Sequence, residues 1–166
     1  MTAPFTTVKI RTAAVILNRG EVALIKRVRD NGTQYTLPGG NVEPAEPLLA
    51  ALRRELDEEL GLLLGERATP ELIGVQDQMV SRPGSTPPRK LHLIFRVVVD
   101  DDQRVALAGV EHDDLSDGDV IWTPLADAAG LHLFPAVGPL LATLDPVQPA
   151  LSALLPPLTD DTFQWI

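Results

Sequence analysis

The sequence predicts one α/β domain, and three observations support this fold class. Two runs rich in β-branched residues are joined by a short turn, a strongly helical segment follows a Leu-Pro-Gly-Gly sequence, and more strand-like runs come after the helix. The chain has 166 residues, which is within the range of one domain that buries a core without disulfides. Because 45% of the residues are hydrophobic and 22% are charged, the chain is expected to fold on its own.

The first predicted elements are a hairpin and a helix. Residues 8–17 and 21–28 predict two strands, because the Asn-Arg-Gly sequence between them is typical of a tight turn. Residues 29–36 are polar and predict a turn rather than a strand. The helix is expected over residues 44–60, since proline suits a first helical turn and glycine suits the position after the last turn.

The second half of the chain predicts shorter elements. The strands are expected over residues 72–80, 91–99 and 120–122, and short helices over residues 127–130 and 136–144. Pro, Gly and Ser residues between the first two of these strands indicate a flexible loop. No internal repeat and no linker able to separate two domains is found in the sequence.

Residues 146–166 are predicted to form an apolar, proline-rich tail on a domain of residues 1–145. The prolines allow at most a short helix near residues 150–155. Each large apolar side chain left in water would forfeit roughly 1.5 to 3 kcal/mol, so the tail needs cover. It can pack on its own domain or on a second copy of the chain. We expect a homodimer, because a two-fold interface offers such a segment a partner surface.

Composition and charge exclude several classes of function. The chain has no cysteine, so a thiol nucleophile and a thiolate metal site are excluded. The formal net charge of −9 opposes binding to DNA or long RNA. The sequence shows neither a secretion signal nor an apolar run of roughly 20 residues, so we expect a cytoplasmic protein with no membrane partner.

The predicted helix carries three acidic side chains on one face. Glu55, Glu58 and Glu59 are three and four residues apart, so their carboxylates converge beside a stripe of leucines suited to packing on a sheet. Like charges at this spacing repel, and the negative end of the helix dipole is close. An acidic surface in contact with solvent is the simple alternative. A bound Mg²⁺ or Mn²⁺ would offset the repulsion, because hard cations prefer carboxylate and carbonyl oxygens.

Residues 40–62 resemble the signature of the Nudix hydrolases, the MutT-like family. The segment has Gly40, five residues, Glu46, seven residues and then the run RELDEELGL that begins at Arg54. Every specified position of the family's motif is filled, and the Leu-Pro-Gly sequence ahead of Gly40 is also typical. The resemblance implies an α/β/α sandwich around a mixed, partly barrel-like sheet. It also implies Mg²⁺-dependent cleavage of a nucleoside diphosphate linked to another group.

The resemblance assigns roles to the charged residues of this segment. It implies that the metal is held by three side chains and one carbonyl oxygen, those of Glu55, Glu58, Glu59 and Gly40. It implies that Arg54 orients these carboxylates by pairing with Glu55 or Glu46. Glu46 is opposite Glu55 on the predicted helix, so we expect a structural role for it, with an ordinary surface acid as the alternative.

Catalysis and substrate binding require further residues. Glu58 and Glu55 are catalytic candidates, and Glu111, within the acidic residues 109–118, is the expected general base, because family members draw this carboxylate from the motif or from a later loop. Cations are needed near the phosphates, and an aromatic ring near the base. The candidates are Arg11, Arg27, Arg29 and Phe134. For each arginine the alternative is a solvated surface charge, and for Phe134 it is a buried side chain.

The expected partner is a small nucleotide, with a (deoxy)nucleoside triphosphate as the first choice. Phe134-Pro135 resembles an aromatic-Pro pair in family members that act on oxidised purines, but Ala136-Val137 follows where those members have two acids. This departure counts against that specificity. ADP-ribose or a nucleotide sugar is the alternative substrate. A catalytically silent nucleotide-binding module is a further alternative, although it predicts loss of motif carboxylates that are all present here.

Overall fold

The computed structural model describes residues 5, 7–82, 84, 87–107, 109, 118–148 and 153–165. Within these residues the chain forms nine strands: β1 (Val8–Asn18), β2 (Glu21–Arg29), β3 (Gly32–Thr36), β4 (Glu71–Met79), β5 (Arg89–Val98), β6 (Asp119–Pro124), β7 (Leu133–Phe134), β8 (Ala153–Leu154) and β9 (Leu158–Thr159). The same residues form four helices: α1 (Leu48–Leu60), α2 (Asp101–Ala106), α3 (Leu125–Ala128) and α4 (Gly138–Thr143).

The strands form one mixed sheet in the order β7-β3-β2-β1-β5-β4-β8, with β6 paired to β2 and β9 paired to β4. β1 pairs in parallel with β5 along almost its whole length, but it pairs with β2 only next to their shared turn. Residues 38–42 run along the remaining edge of β1, where the Thr12 N–H donates to the Gly40 carbonyl at 2.9 Å. Over the described residues the sheet is open rather than closed into a barrel.

Both faces of the sheet are covered. On one face, α1 packs Leu52 and Leu56 into a buried cluster with Ile16 of β1. On the opposite face, α3, α4 and the tail form a second cluster, in which Leu141 packs with Ile94 of β5. Burial of each such leucine or isoleucine contributes roughly 1.5 to 3 kcal/mol. The α/β/α sandwich around a mixed sheet confirms the predicted fold class.

The predicted helix over residues 44–60 begins later than expected. α1 starts at Leu48, because Pro47 has extended backbone angles and precedes the first turn. Ala45 has a positive φ of 64°, and the Glu46 N–H donates to the Glu43 carbonyl at 3.1 Å, so these residues form a separate turn. The prediction that Glu46 is part of the helix, opposite Glu55, was therefore wrong.

Within residues 29–36, where a turn was predicted, the turn covers only residues 30–31, and residues 32–36 form the strand β3. β3 pairs with β2 from Ile25 opposite Thr36 to Arg29 opposite Gly32. The side chains of Gln34 and Thr36 are buried despite their polarity. Polar composition misled the prediction because the burial of β3 depends on its neighbour β2, which the local sequence does not show.

The tail packs on its own domain. β8 and β9 both pair in parallel with β4, and Leu155, Leu158 and Phe163 are buried. Ala153–Leu154 is a strand within the range where a short helix was considered, and residues 149–152 lie outside the described residues. Since the tail has cover in its own domain, the argument for a homodimer from uncovered apolar surface no longer applies.

The remaining predicted helices are present, but their residue ranges differ from the prediction. α3 precedes the predicted residues 127–130 by two, and α4 is shorter than the predicted 136–144. α2 was not predicted; it begins with a capping box in which the Asp100 side chain accepts from the Gln103 N–H. Among the described helices, none is both long and apolar enough to cross a membrane.

Candidate active site

The C-terminal half of α1 presents the three glutamates to the loop that runs beside β1. Glu55 and Glu59 are buried, whereas the Glu58 side chain remains 47% exposed. Their positions follow from the leucines of the same helix, which bury one face on the sheet and so turn the neighbouring face towards the loop. The helix ends at Gly61, which has the left-handed backbone typical of a helix C-terminus.

Arg54 lies at the centre of these acids and contacts three of them. Its Nε and Nη2 donate to the two carboxylate oxygens of Glu46 at 2.8 and 3.0 Å. Its Nη1 donates to Glu55 at 2.8 Å and to Glu58 at 3.0 Å. Nη2 also donates to the Asn41 carbonyl at 3.1 Å. One guanidinium group therefore links the loop, the turn ahead of α1 and the helix itself.

The ionisation of this cluster reflects these contacts. The hydrogen bond from Arg54 lowers the pKa of Glu46 to about 2, and the backbone of Glu43 adds to this effect. The Glu46 carboxylate in turn raises the pKa of Arg54 above its usual range. Burial raises the pKa of Glu55, against the opposing hydrogen bond from Arg54. Glu46 is thus a firmly ionised anchor for Arg54, whereas the Glu55 carboxylate binds a proton more readily than its ordinary pKa would allow.

Two glycines allow the loop to approach the helix closely. The Gly39 N–H donates to the Glu59 carboxylate at 2.7 Å, and Gly39 has a φ of 137°, which a side chain would strain. A Cβ at Gly39 would overlap the backbone of Thr12. A Cβ at Gly40 would overlap the carboxylate of Glu55. The glycines are needed here because the space for their side chains is already filled by strand backbone and by a glutamate.

The donor set of this cluster suits a hard divalent cation, although the side chains are not arranged around one. Among the described residues, no three acidic or imidazole side chains stand together in a metal-binding arrangement. Arg54 holds Glu55 and Glu58, and Gly39 holds Glu59. The Gly40 carbonyl accepts from one backbone N–H and retains a second lone pair. The residues fit Mg²⁺ or Mn²⁺ in chemical type, with oxygen ligands next to a loop that only glycine can form.

The three arginines predicted to bind phosphate lie in different surroundings. Arg11 is close to the cluster, because its guanidinium donates to the Gly39 carbonyl. Arg27 is buried and donates to the Thr36 hydroxyl at 2.7 Å. Arg29 is exposed at the end of β2. The predicted base, Glu111, lies outside the described residues.

Phe134 is buried beneath the tail, with only 5% of its surface exposed. Its ring lies 4.5 Å from Trp165, 5.9 Å from Phe163 and 5.2 Å from His92, measured between centroids. The structure matches the alternative of a buried side chain, and stacking on a base would require the tail to move away from the ring. The sequence analysis missed Trp165 as a neighbour of this site because the two aromatic residues are brought together only by the pairing of the tail with β4.

The fold and the cluster together define a class of protein, an α/β/α domain in which one helix presents an arginine and several glutamates to a double-glycine loop. A family model described as the NUDIX domain matches residues 8–143. The chain therefore belongs to the Nudix family.

Named relatives match this chain over a limited part of their length. Nucleoside triphosphatase NudI of Klebsiella pneumoniae (strain 342) is 48% identical over 50 residues, which are 28% of this chain and 36% of that protein. The NudI protein of Escherichia coli O1:K1 / APEC is 49% identical over 57 residues, which are 31% of this chain and 40% of that protein. The chain thus spans well under half the length of these relatives.

Solved structures match over a larger share of the chain. A mutator MutT protein from Bacillus halodurans aligns with 93% of each chain at a TM-score of 0.64, with 18% sequence identity. At this identity the likeness shows the fold alone. The E. coli ORF135 protein aligns with 81% of this chain and 86% of its own, at a TM-score of 0.57 and 27% identity.

Proposed function

We propose that the chain hydrolyses a diphosphate bond in a nucleoside diphosphate linked to another group, with a divalent metal ion, and that a (deoxy)nucleoside triphosphate is the preferred substrate. The observation that carries this proposal is the cluster of Arg54 with Glu46, Glu55 and Glu58 against the double-glycine loop. The substrate class is supported by relatives named nucleoside triphosphatase, over the part of their length that the chain matches.

The metal would be held by Glu55, Glu58, Glu59 and the Gly40 carbonyl. A bound Mg²⁺ or Mn²⁺ supplies charge for the phosphate oxygens and lowers the pKa of the attacking water. Glu58 is the ligand most able to turn towards a cation, since its side chain is the most exposed of the three and is held by Arg54 at 3.0 Å. Glu55 and Glu59 already lie against Gly40 and Gly39.

The remaining residues would position these ligands. When Glu58 turns away from Arg54, the two hydrogen bonds that the guanidinium donates to Glu46 still hold it in place. Arg54 can then keep Glu55 in one rotamer through its Nη1. The role of Glu46 is thus to hold Arg54, which in turn orients the metal-binding carboxylate of Glu55.

Proton transfer and charge neutralisation complete the proposal. Glu111 is the proposed base, with Glu55 as the alternative because burial raises its pKa and so its affinity for a proton. Arg11, Arg27 and Arg29 would neutralise the phosphates. Arg11 is the best placed of these, since it contacts the same loop that holds Glu59.

A substrate panel tests the proposal. Nucleoside di- and triphosphates, nucleotide sugars, ADP-ribose and dinucleoside polyphosphates are each incubated with Mg²⁺, Mn²⁺, Ca²⁺ or EDTA, and products are identified by ³¹P NMR. We expect the highest kcat/KM with a nucleoside triphosphate, no turnover in EDTA, recovery on adding Mg²⁺, and poor support by Ca²⁺, which tolerates looser geometry. Undiminished hydrolysis after exhaustive chelation would refute the metal site. A higher kcat/KM for ADP-ribose than for every triphosphate would refute the substrate class alone.

A further inference from the structure

Two rows of polar side chains cross the face of the sheet that the tail covers. The rows are set by the register of β1, β5 and β4 and consist of Arg11, His92 and Gln76, and next to them Lys9, Lys90 and Gln78. Further along the same strands, Ala13 and Ile94 continue this face as apolar core. We call these six residues the polar rows. At the polar rows, this face of the sheet changes from apolar to polar, although the tail still covers part of it.

Three side chains of the polar rows, those of His92, Gln76 and Gln78, are buried, which is costly for polar groups unless they are hydrogen-bonded. Gln76 meets this need, since its amide contacts the backbone of Ala136 and Pro156. His92 is fully buried and its Nε2 lies 2.7 Å from Oε1 of Gln78. Among the described residues, His92 Nδ1 has no hydrogen-bond partner. Because buried polar atoms are normally hydrogen-bonded, His92 Nδ1 is an exception on this face of the sheet.

The charges of the polar rows all have the same sign. Lys9 and Lys90 are directly opposite each other on neighbouring strands, an arrangement that destabilises a sheet. Lys90 is half-buried and, within the described part of the chain, forms no ion pair. Burial, followed by repulsion from Arg11, Arg82 and Lys9, lowers its pKa to about 8.

Two acids that contact the sequence neighbours of Lys90 and Arg82 already have partners. Asp77 of β4 accepts from Arg89 Nε at 2.8 Å, and Asp160 of the tail accepts from the Ser81 N–H at 2.6 Å and from its hydroxyl at 2.9 Å. Within the described part of the chain, positive charge therefore lies at this edge without a matching carboxylate beside Lys90.

Aromatic rings form a wall next to these cations. The Arg11 guanidinium lies 5.9 Å from the centroid of the Phe134 ring, and the Arg82 guanidinium lies 4.2 Å from that of Trp165. The Trp165 ring contacts Phe134, and its Nε1 is buried without a hydrogen-bond partner among the described residues. Partial exclusion of water by this wall strengthens the attraction between the cations and an anion.

We propose that Lys90, together with Arg11 and Arg82, forms a binding site for a phosphate-type oxyanion on the tail-covered face of the sheet. The proposal rests on the proposed function, since the phosphate would belong to the nucleotide substrate or to a released product. Arg11 connects the two sites, because its guanidinium contacts both the Gly39 carbonyl and the Phe134 ring. Lys90 would hold one phosphate while the glutamates of α1 act at another.

Calorimetric titration of the full chain with inorganic pyrophosphate in metal-free buffer tests this site without any catalytic step. We expect Lys90→Met to raise the Kd about tenfold, since one charge-assisted contact is lost, and Lys90→Arg to restore most of the affinity. Arg19→Met is the matched control, because it removes one positive charge from an exposed turn residue paired with Asp101. The control should bind as the wild type does.

The source of the phosphate follows from a second titration with a non-hydrolysable nucleoside triphosphate. If Lys90→Met has a higher Kd than the wild type for both ligands, the site binds the substrate. If its Kd is higher for pyrophosphate alone, the site binds a product. No measurable pyrophosphate binding by the wild type, or an equal Kd for Lys90→Met and Arg19→Met, overturns the site. These results do not depend on hydrolysis, so a failed substrate panel with intact pyrophosphate binding would refute only the proposed function.

Discussion

Charged side chains are concentrated in two regions of this molecule, which differ in the charged partners of these side chains. The acids on α1 and ahead of it surround one arginine, and Arg54 reaches Glu46, Glu55 and Glu58 with separate hydrogen bonds. In the polar rows, by contrast, the Lys90 ammonium is repelled by Arg11, Arg82 and Lys9. The first region is an acidic site with its own counter-charge, whereas the second is a basic site in which no described residue supplies a counter-charge beside Lys90.

The difference indicates how each region is organised before a ligand arrives. A carboxylate held by an arginine keeps its geometry, so the acidic site needs only a side-chain rotation of Glu58 to change partner. A lysine among other cations is destabilised by electrostatic repulsion until an anion binds. Binding of an anion should therefore stabilise the basic site. The two regions can be distinguished by mutating Arg54 in the acidic site and Trp165 in the aromatic wall, and by measuring how the stability of each region depends on pH.

The largest expected effect comes from the proposed metal ligands. Glu58→Gln and Glu59→Gln should each lower kcat by roughly a hundredfold or more, because the loss of a ligand removes charge stabilisation at the reacting phosphate. Asp57→Asn, on an exposed position of the same helix, is the control and should retain activity. Steady-state kinetics at saturating Mg²⁺ measures the effect, and near wild-type turnover in both glutamine variants would exclude the assigned ligands.

Removal of the central arginine should have the next largest effect. Arg54→Met should lower activity between about tenfold and a hundredfold, since the carboxylates lose the group that orients them and repel each other. The Mn²⁺ concentration for half-maximal activity should also rise, which a loss of folding alone would not cause. Arg53→Met is the matched control, because Arg53 contacts the backbone carbonyls of Leu49 and Ala68 instead of an acid. Equal metal dependence of the two variants would contradict the orienting role.

The aromatic wall is tested by Trp165→Ala. Loss of its contacts with Phe134 and Arg82 should lower the free energy of unfolding by about 1 to 2 kcal/mol, measured by urea titration. Trp122→Ala is the control, since Trp122 also stacks on an arginine, at 4.4 Å from Arg104, but lies on β6. Both variants should lose stability, and only Trp165→Ala should weaken pyrophosphate binding. Unchanged binding in Trp165→Ala would show that the tail serves the core alone.

The acidic site should lose stability at low pH. The folded-state pKa of Glu46 is about 2, below its ordinary value of 4.5, so its contribution is complete above pH 4.5 and is lost as the pH falls towards 2. Glu46→Gln should therefore lower Tm by roughly 2 °C at neutral pH, and the difference from the wild type should shrink below pH 4.5. Thermal unfolding over pH 2.5 to 7 measures it. A difference that grows on acidification would contradict the ion pair.

The basic site should respond on the opposite side of neutrality, with the smallest effect. The folded-state pKa of Lys90 is about 8, below its ordinary value of 10.5, so its charge destabilises the fold below pH 8 and this penalty is removed as the pH rises to 10.5. Lys90→Met should raise Tm by roughly 1 °C at pH 7, and the gain should vanish by pH 10.5. Calorimetric scans at both pH values measure it, and a lower Tm for the variant at pH 7 would show that Lys90 is already stabilised by the chain.

Much of the acidic site could be predicted because its parts are close in sequence. The spacing of Glu55, Glu58 and Glu59 and the double glycine ahead of them are local patterns, and helix geometry is enough to bring the carboxylates near one another. The pairing of Arg54 with Glu46 or Glu55 was likewise anticipated. The local pattern failed at Glu46, where Pro47 delays the helix and the side chain reaches Arg54 from a turn instead.

The basic site could not be predicted in the same way. Lys9 and Lys90 are 81 positions apart, and only the parallel register of β1 with β5 sets them side by side. Composition showed arginines and lysines near strand ends, but it could not show which of them share a face or which are covered. The depressed pKa of Lys90 depends on that burial and has no signal in the sequence.

The sequence by itself determined the family, the acidic helix and the single α/β domain, because short-range spacing and hydrophobic periodicity specify a helix and its faces. The tertiary structure decided that residues 32–36 form a strand, that the tail packs on β4, and that Trp165 covers Phe134. These outcomes depend on contacts between distant segments, whose free energies come from burial and cross-strand pairing that no local pattern records.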